Sequence, residues 1–295
     1  MFTPVFVAAR VLANPVSNVF QKQLALARAA PLFVVSATHA LLSIPALVVL
    51  AAQPALGAQP GFAASIGIAA VLAVAGNTVL VRALEAGDLS VLGPINAFKA
   101  VLSMLLGALF IGEIPTSAGV AGTLLIVSGS YFIVDRPPGS RRRAALAHFA
   151  GDPAVRLRIL ALVLSATEAV FLKRAILLSS PVIVFLFWSI LGFALSALAL
   201  GVFARPEARD GLAGFRRLWR TFLWLAATAG VMQLATLLAF GVMQVGYSLA
   251  LFQLSALVSV FLGYRYFHER HTRRRLLGAA IMVAGAALIV TLGHR

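Results

Sequence analysis

The sequence predicts an all-α membrane protein of ten transmembrane helices, arranged as an inverted repeat of five plus five. Three features predict it: the composition, a series of ten long apolar runs, and a correspondence between the two halves. Of 295 residues, 61% are in the AVILMFWYC set and 11% are charged, with a mean hydropathy of +0.98. A soluble domain carries roughly 45–50% apolar and about 25% charged residues. At roughly 20 apolar residues per span, the chain has room for about ten spans and no separate soluble domain of ordinary size. The absence of Cys excludes disulfides, thiolate metal ligands and thiol nucleophiles.

The runs are 4–24, 31–51, 62–84, 89–111, 115–135, 157–178, 181–203, 221–243, 247–267 and 274–293. They do not alternate apolar with polar, so they are not barrel strands. A helix then satisfies their backbone groups within lipid. No basic n-region with a cleavage site opens the sequence, so Met1 onward is expected to be retained.

The net charge of +15 invites a nucleic-acid reading, but the charges sit in short gaps between apolar runs, so no nucleic-acid partner is expected. Nineteen Lys and Arg fall in the odd-numbered loops, against three (Lys173, Arg174, Arg295) in the even loops and tails. That bias places the odd loops in the cytoplasm and both termini outside. Arg141, Arg142 and Arg143, with Arg136 nearby, form a basic patch in the 139–156 loop, suited to anionic lipid. Residues 1–138 and 157–295 form the two expected repeats.

Residues 99–133 match residues 255–289 at a constant offset of 156. Ser103, Gly107, Glu113, Thr116, Gly122, Gly129 and Ile133 fall on Ser259, Gly263, Glu269, Thr272, Gly278, Gly285 and Ile289. Earlier, Val19–Lys22 (VFQK) is echoed by Val170–Lys173 (VFLK). Five spans per half is an odd number, so the second half enters the membrane from the opposite side. Inverted repeats of this kind let two equivalent halves exchange roles around a midplane site.

Ten spans as five plus five, with Gly112, Glu113, Thr116, Gly122 and Gly129 in one half and Glu269, Thr272, Gly278 and Gly285 in the other, resemble the drug/metabolite transporter superfamily, and within it the EamA-type exporters. His268 stands where the pattern has Gly before the second Glu. The resemblance implies efflux of metabolites, amino acids or drugs; some members exchange nucleotide sugars or phosphorylated compounds.

Residues common to both halves point to the shared fold. Gly122 and Gly129, like Gly278 and Gly285, are seven apart on one helix face and permit close helix approach. Pro115 suits the first turn of span 5. Glu113 and Glu269 precede helix starts, where a carboxylate meets the positive end of the helix dipole.

Residues present in one half only point to function. Arg10, Lys99 and Glu168 lie inside spans, where an ionisable group costs about 2.5–3.5 kcal/mol on the insertion scale and faces water or a partner. Arg10, Asn14, Ser17, Asn18 and Gln21 fall in a stripe about 100° wide on span 1. Asn96, Lys99 and Ser103 share a face of span 4, matched by Ser255 and Ser259 in span 9. Gln233, Thr236 and Gln244 form a stripe on span 8, with Phe240 between them. His39 is isolated in span 2 and reads as a satisfied core histidine, and Trp188 in span 7 is left between cavity and lipid.

No Walker A sequence, H-E-x-x-H, G-x-S-x-G or metal-suited cluster is present, so neither an ATPase, an enzyme nor a bound cofactor is expected. The reading is a bacterial inner-membrane carrier, monomer or homodimer, that exports a small zwitterionic or anionic solute by alternating access, coupled to protons or exchange. Arg10 and Lys99 hold an acidic group. Glu168 neutralises them or carries the proton, and Asn14, Asn18, Asn96, Gln233 and Ser255 supply hydrogen bonds. The alternatives are a lipid-linked sugar or polyprenyl-phosphate flippase of the same fold, a non-transporting membrane scaffold or receptor, and an intramembrane enzyme.

Overall fold

A computed structural model describes residues 3–52, 57–86, 97–133, 153–258 and 273–293. These form ten helices: α1 (Thr3–Leu26), α2 (Pro31–Ala52), α3 (Phe62–Ala86), α4 (Lys99–Ile111), α5 (Ser117–Ile133), α6 (Pro153–Leu177), α7 (Pro181–Phe203), α8 (Arg205–Val242), α9 (Val245–Phe252) and α10 (Arg273–Leu292). Among the described residues there is no strand. Each helix overlaps one apolar run of the sequence, but α8 begins at Arg205, well before its run at 221–243, and α9 spans only Val245–Phe252 against a run of 247–267. Four segments are long and apolar enough to cross a membrane: Pro31–Ala52, Phe62–Leu80, Pro181–Phe203 and Gly211–Val242.

The boundaries follow local chemistry. Ser180 caps α7 by accepting the Ile183 N–H at 3.3 Å, with Pro181 in the first turn, where no N–H is needed. Gly112 ends α4 at φ +70, a left-handed conformation that glycine adopts without a Cβ penalty. The span-5 helix starts after Pro115 rather than on it. Thr116 is the residue before its first turn, and its Oγ1 accepts the Gly119 N–H at 3.1 Å. α6 begins at Pro153, inside the expected inter-repeat loop; residues 139–152 of that loop lie outside the described residues.

α8 runs 38 residues, about 57 Å at ~1.5 Å per residue and longer than a bilayer core. The helical path breaks at Leu218 (φ −116, ψ 23), which separates the charged Arg205–Arg217 turns from a remainder that is apolar beyond Arg220.

The helices form two compact units, each drawn from both halves of the chain: Met1–Val74 with Phe171–Val242, and Ala75–Val170 with Met243–Arg295. In the first unit, α1 packs on α8, α2 on α7, and α8 on both α2 and α7. Arg10 meets Thr236 and Phe20 stacks on Trp224, so α1 and α8 run antiparallel. Leu24, Phe33, Leu200, Phe222 and Leu225 form the core of one end, with Phe33 edge-on to Phe222 at 6.1 Å.

In the second unit, α5 packs on α10 and α4 on α9, while Gly76 of α3 rests on Leu164 of α6. A Cβ on Gly122 would lie 2.7 Å from the Gly285 carbonyl oxygen, and one on Gly285 would lie 2.6 Å from that of Gly122. A Cβ on Gly129 would lie 2.7 Å from the Gly278 oxygen. The two helices therefore run antiparallel and backbone to backbone, close enough for Cα–H···O contacts. The glycines act in packing, as their spacing predicts.

Candidate functional site

Arg10 lies half-buried on α1, and its Nε donates to Thr236 Oγ1 of α8 at 2.9 Å. Thr236 in turn donates to the Met232 carbonyl, so its oxygen is held toward the guanidinium. Asn14 sits one turn from Arg10 and is half-buried; Gln233 sits one turn from Thr236 and is half-buried too. Thr236 is thus bonded to the guanidinium, and Asn14 and Gln233 lie one helical turn away on α1 and α8. Farther along the same stripe Ser17 is buried, whereas Asn18 and Gln21 are exposed. Pro15 is buried inside α1, which continues through it.

Lys99 and Glu168 belong to the second unit, and both are half-buried. Lys99 is the first residue of α4. Ser103, one turn on and fully buried, donates to the Ala166 carbonyl at 3.4 Å, two residues before Glu168. The Lys99 face of α4 therefore meets the α6 backbone two residues before Glu168. In the repeat-equivalent span, α9 ends at Phe252. Gln253 and Leu254 form a tight turn with bonds to the Ala250 and Leu251 carbonyls at 3.0 Å, and the helical path resumes at Ser255. Ser255 is half-buried. Asn96, Ser259, Glu269 and Thr272 lie outside the described residues.

Three sequence expectations are corrected. Lys173 is not in a loop: it is buried within α6, and its Nζ donates to the Phe240 carbonyl. Phe240 is in the last turn of α8, whose carbonyls have no partner within the helix, so an ammonium there meets both an orphan acceptor and the negative end of the dipole. Gln244 is not on the Gln233 stripe, because α8 ends at Val242. Its amide instead donates to the Ile114 carbonyl at 3.1 Å. His39 is buried as expected and satisfied in part: the ring has a hydrogen bond with the Ser189 backbone, whereas Nδ1 is without a partner among the described residues.

Glu113 is a capping residue, but not of its own helix. Its Oε2 accepts the Val245 N–H at 2.9 Å, at the start of α9. Tyr247, two residues on and fully buried, accepts the Thr116 N–H at 2.8 Å. Together with the Gln244 bond, these contacts fasten the Gly112–Thr116 connection to the first turn of α9. Local reading of the motif found the cap and missed the helix it serves.

Residues 5–135, from α1 through α5, match the EamA-like transporter family model. No curated protein matches the chain. A solved structure described as "Crystal structure of protein" superposes with a TM-score of 0.70 at 18% identity, covering 99% of this chain and 98% of that one. At that identity the likeness shows the fold alone. The match covers less than half of the chain; with the apolar helices it supports a membrane transporter in general. Over residues 5–135 the chain is EamA-like, as the resemblance read from its residues implies.

Proposed function

We infer that the protein is a secondary carrier of the bacterial inner membrane that exports a small zwitterionic or anionic metabolite, such as an amino acid, by alternating access. The observation that carries this reading is the reciprocal contact between α5 and α10. Under the repeat offset, Gly122 corresponds to Gly278 and Gly129 to Gly285. Exchanging the halves turns the Gly122–Gly285 contact into Gly278–Gly129, and that contact is also present. A pairing that maps onto itself is isologous, the mark of a two-fold relation.

The equivalent helices run antiparallel, which supports inverted rather than parallel repeats. α2 with α7 and α4 with α9 also join equivalent helices, and α1 with α8 exchanges with α3 against α6. Such an architecture gives two conformations of nearly equal energy, each open to one side. The chain has no phosphate-binding loop, so uphill movement draws on proton coupling or exchange.

In the first unit, Arg10 takes the solute's acidic group, with Asn14, Asn18 and Gln233 as hydrogen-bonding neighbours. In the second, Lys99 offers a further cation and Glu168 takes up the coupling proton, with Asn96 and Ser255 supplying hydrogen bonds. The direction, export, rests on the resemblance to exporters.

The test is counterflow in vesicles holding purified protein, with pooled labelled amino acids, phosphates and sugars. One pool is expected to exchange, and Lys99→Ala and Glu168→Gln each abolish that exchange while membrane insertion is retained. No exchange of any pool contradicts the carrier reading. Full activity in both variants removes the two residues from the mechanism.

A further inference from the structure

The packed faces of α2 and α7 carry a polar seam. Ser36, His39 and Ser43 recur at three- and four-residue spacing on α2; Ser189, Gly192 and Ser196 do so on α7, and all six are buried. Ser43 Oγ bridges the helices, bonding to the His39 carbonyl at 2.7 Å and the Ser189 carbonyl at 3.0 Å. Ser189 and Ser196 donate their hydroxyl protons within α7, to the Phe185 carbonyl at 2.9 Å and the Gly192 carbonyl at 2.6 Å. Their oxygens are left as acceptors.

His39, 5% exposed, is the one ionisable side chain on the seam. Its imidazole occupies a hollow made by Gly192, where a Cβ would lie 2.4 Å from the ring's Nδ1 and Cε1. Trp188 covers it, with ring centroids 4.4 Å apart. Two buried polar atoms remain without a hydrogen-bond partner among the described residues: His39 Nδ1 and the indole Nε1 of Trp188. Leaving such atoms unpaired in a closed site costs about 1–3 kcal/mol each.

We propose that His39 is a proton-binding site whose protonation exchanges the hydrogen-bond partners of the α2–α7 seam. In the neutral ring Nδ1 can accept, and the adjacent Trp188 N–H is the donor without a partner. In the imidazolium both ring nitrogens donate. Nδ1–H then turns to the seam's hydroxyl oxygens while the indole face stabilises the cation. One proton thus exchanges an acceptor for a donor at the centre of the seam.

Among the described residues, the charges of the elements packed around α2 lie away from the seam: α8 carries Arg216, Arg217 and Arg220 at the end where Gly211 meets Phe33, two turns from His39 on α2. α7 has no ionisable residue, α8 has none from Thr221 to Val242, and α3 has none from Phe62 to Val74. α1 brings Arg10, engaged with Thr236, and Lys22; the end of α6 brings Lys173, engaged with Phe240, and the exposed Arg174.

This inference stands apart from the transport reading, and its test needs no transport. Trp219→Phe and Trp224→Phe leave Trp188 as the sole indole in the full-length protein, and its emission is followed from about pH 8 down to about pH 4. Emission is expected to fall reversibly along a one-proton curve as the imidazolium forms against the ring, and His39→Gln abolishes the fall. A flat curve in the parent overturns the proposal whatever the variant does, and so does a fall that persists in His39→Gln. As a second readout, 15N-histidine spectra of protein with His148, His268, His271 and His294 changed to Gln report the His39 ring itself; a ring that does not titrate over that range overturns the proposal as well.

Discussion

Two helix pairs, α5–α10 and α2–α7, each join helices that correspond under the proposed repeat, yet they are glued in opposite ways. The first is apolar and nearly atomless at its crossing, where Gly122, Gly129, Gly278 and Gly285 let backbones touch. The second is filled with hydroxyls, an imidazole and an indole. Lipid is as apolar as Leu, so helices in it associate through close packing or through polar contacts. A glycine crossing has one good arrangement and resists change. A seam with more donors and acceptors than satisfied bonds has several arrangements close in energy. The contrast suggests that α5–α10 is the fixed element of its unit and α2–α7 the adjustable element of the other.

The contrast is broken most forcefully at the glycine crossing. Gly129→Ala places a methyl 2.6 Å from Met282 Cγ and 2.7 Å from the Gly278 oxygen. It is expected to destabilise the protein by ~1–3 kcal/mol in thermal unfolding in detergent. Gly67→Ala, which adds a methyl to open space on α3, is the matched control and is expected to be neutral or mildly stabilising. Equal losses at both positions would contradict a specific crossing. A smaller effect is expected on the seam. Ser43→Ala removes the bridge to the Ser189 carbonyl and is expected to cost about 0.6 kcal/mol, the average for an interhelical bond in a membrane. A loss as large as that at Gly129 would make the seam a rigid element and erase the contrast.

Much of the fold was legible because apolar length and glycine spacing are direct consequences of a lipid environment. The ten runs became ten helices, and the seven-residue glycine spacing became the α5–α10 crossing. What escaped depended on partners distant in sequence. Glu113 reads locally as a cap for the helix that follows it, and only folding brings the Val245 N–H within reach. Lys173, beside Arg174, reads as the edge of a span; its burial becomes intelligible once the end of α8 supplies an orphan carbonyl. The seam was written on both helices as Ser36, His39, Ser43 and Ser189, Gly192, Ser196, but each half alone reads as scattered small polar residues. Of the proposed binding residues, Arg10 bonds Thr236, one turn from Gln233, and Ser103, one turn from Lys99, bonds the Ala166 carbonyl, two residues before Glu168. Asn96 lies outside the described residues.

The central claim, that the second repeat enters the membrane inverted, is open to a direct measurement because the chain has no Cys. Ala58 follows α2, and Ala213 precedes the Leu218 break after α7; both are exposed. Under the proposed repeat α2 corresponds to α7, so single Ala58→Cys and Ala213→Cys proteins mark the same point of each half. An impermeant maleimide is expected to label the thiol at position 58 in intact cells and the thiol at position 213 only in inverted vesicles. Labelling of both from the same side of the membrane would contradict the inverted architecture and the carrier mechanism built on it.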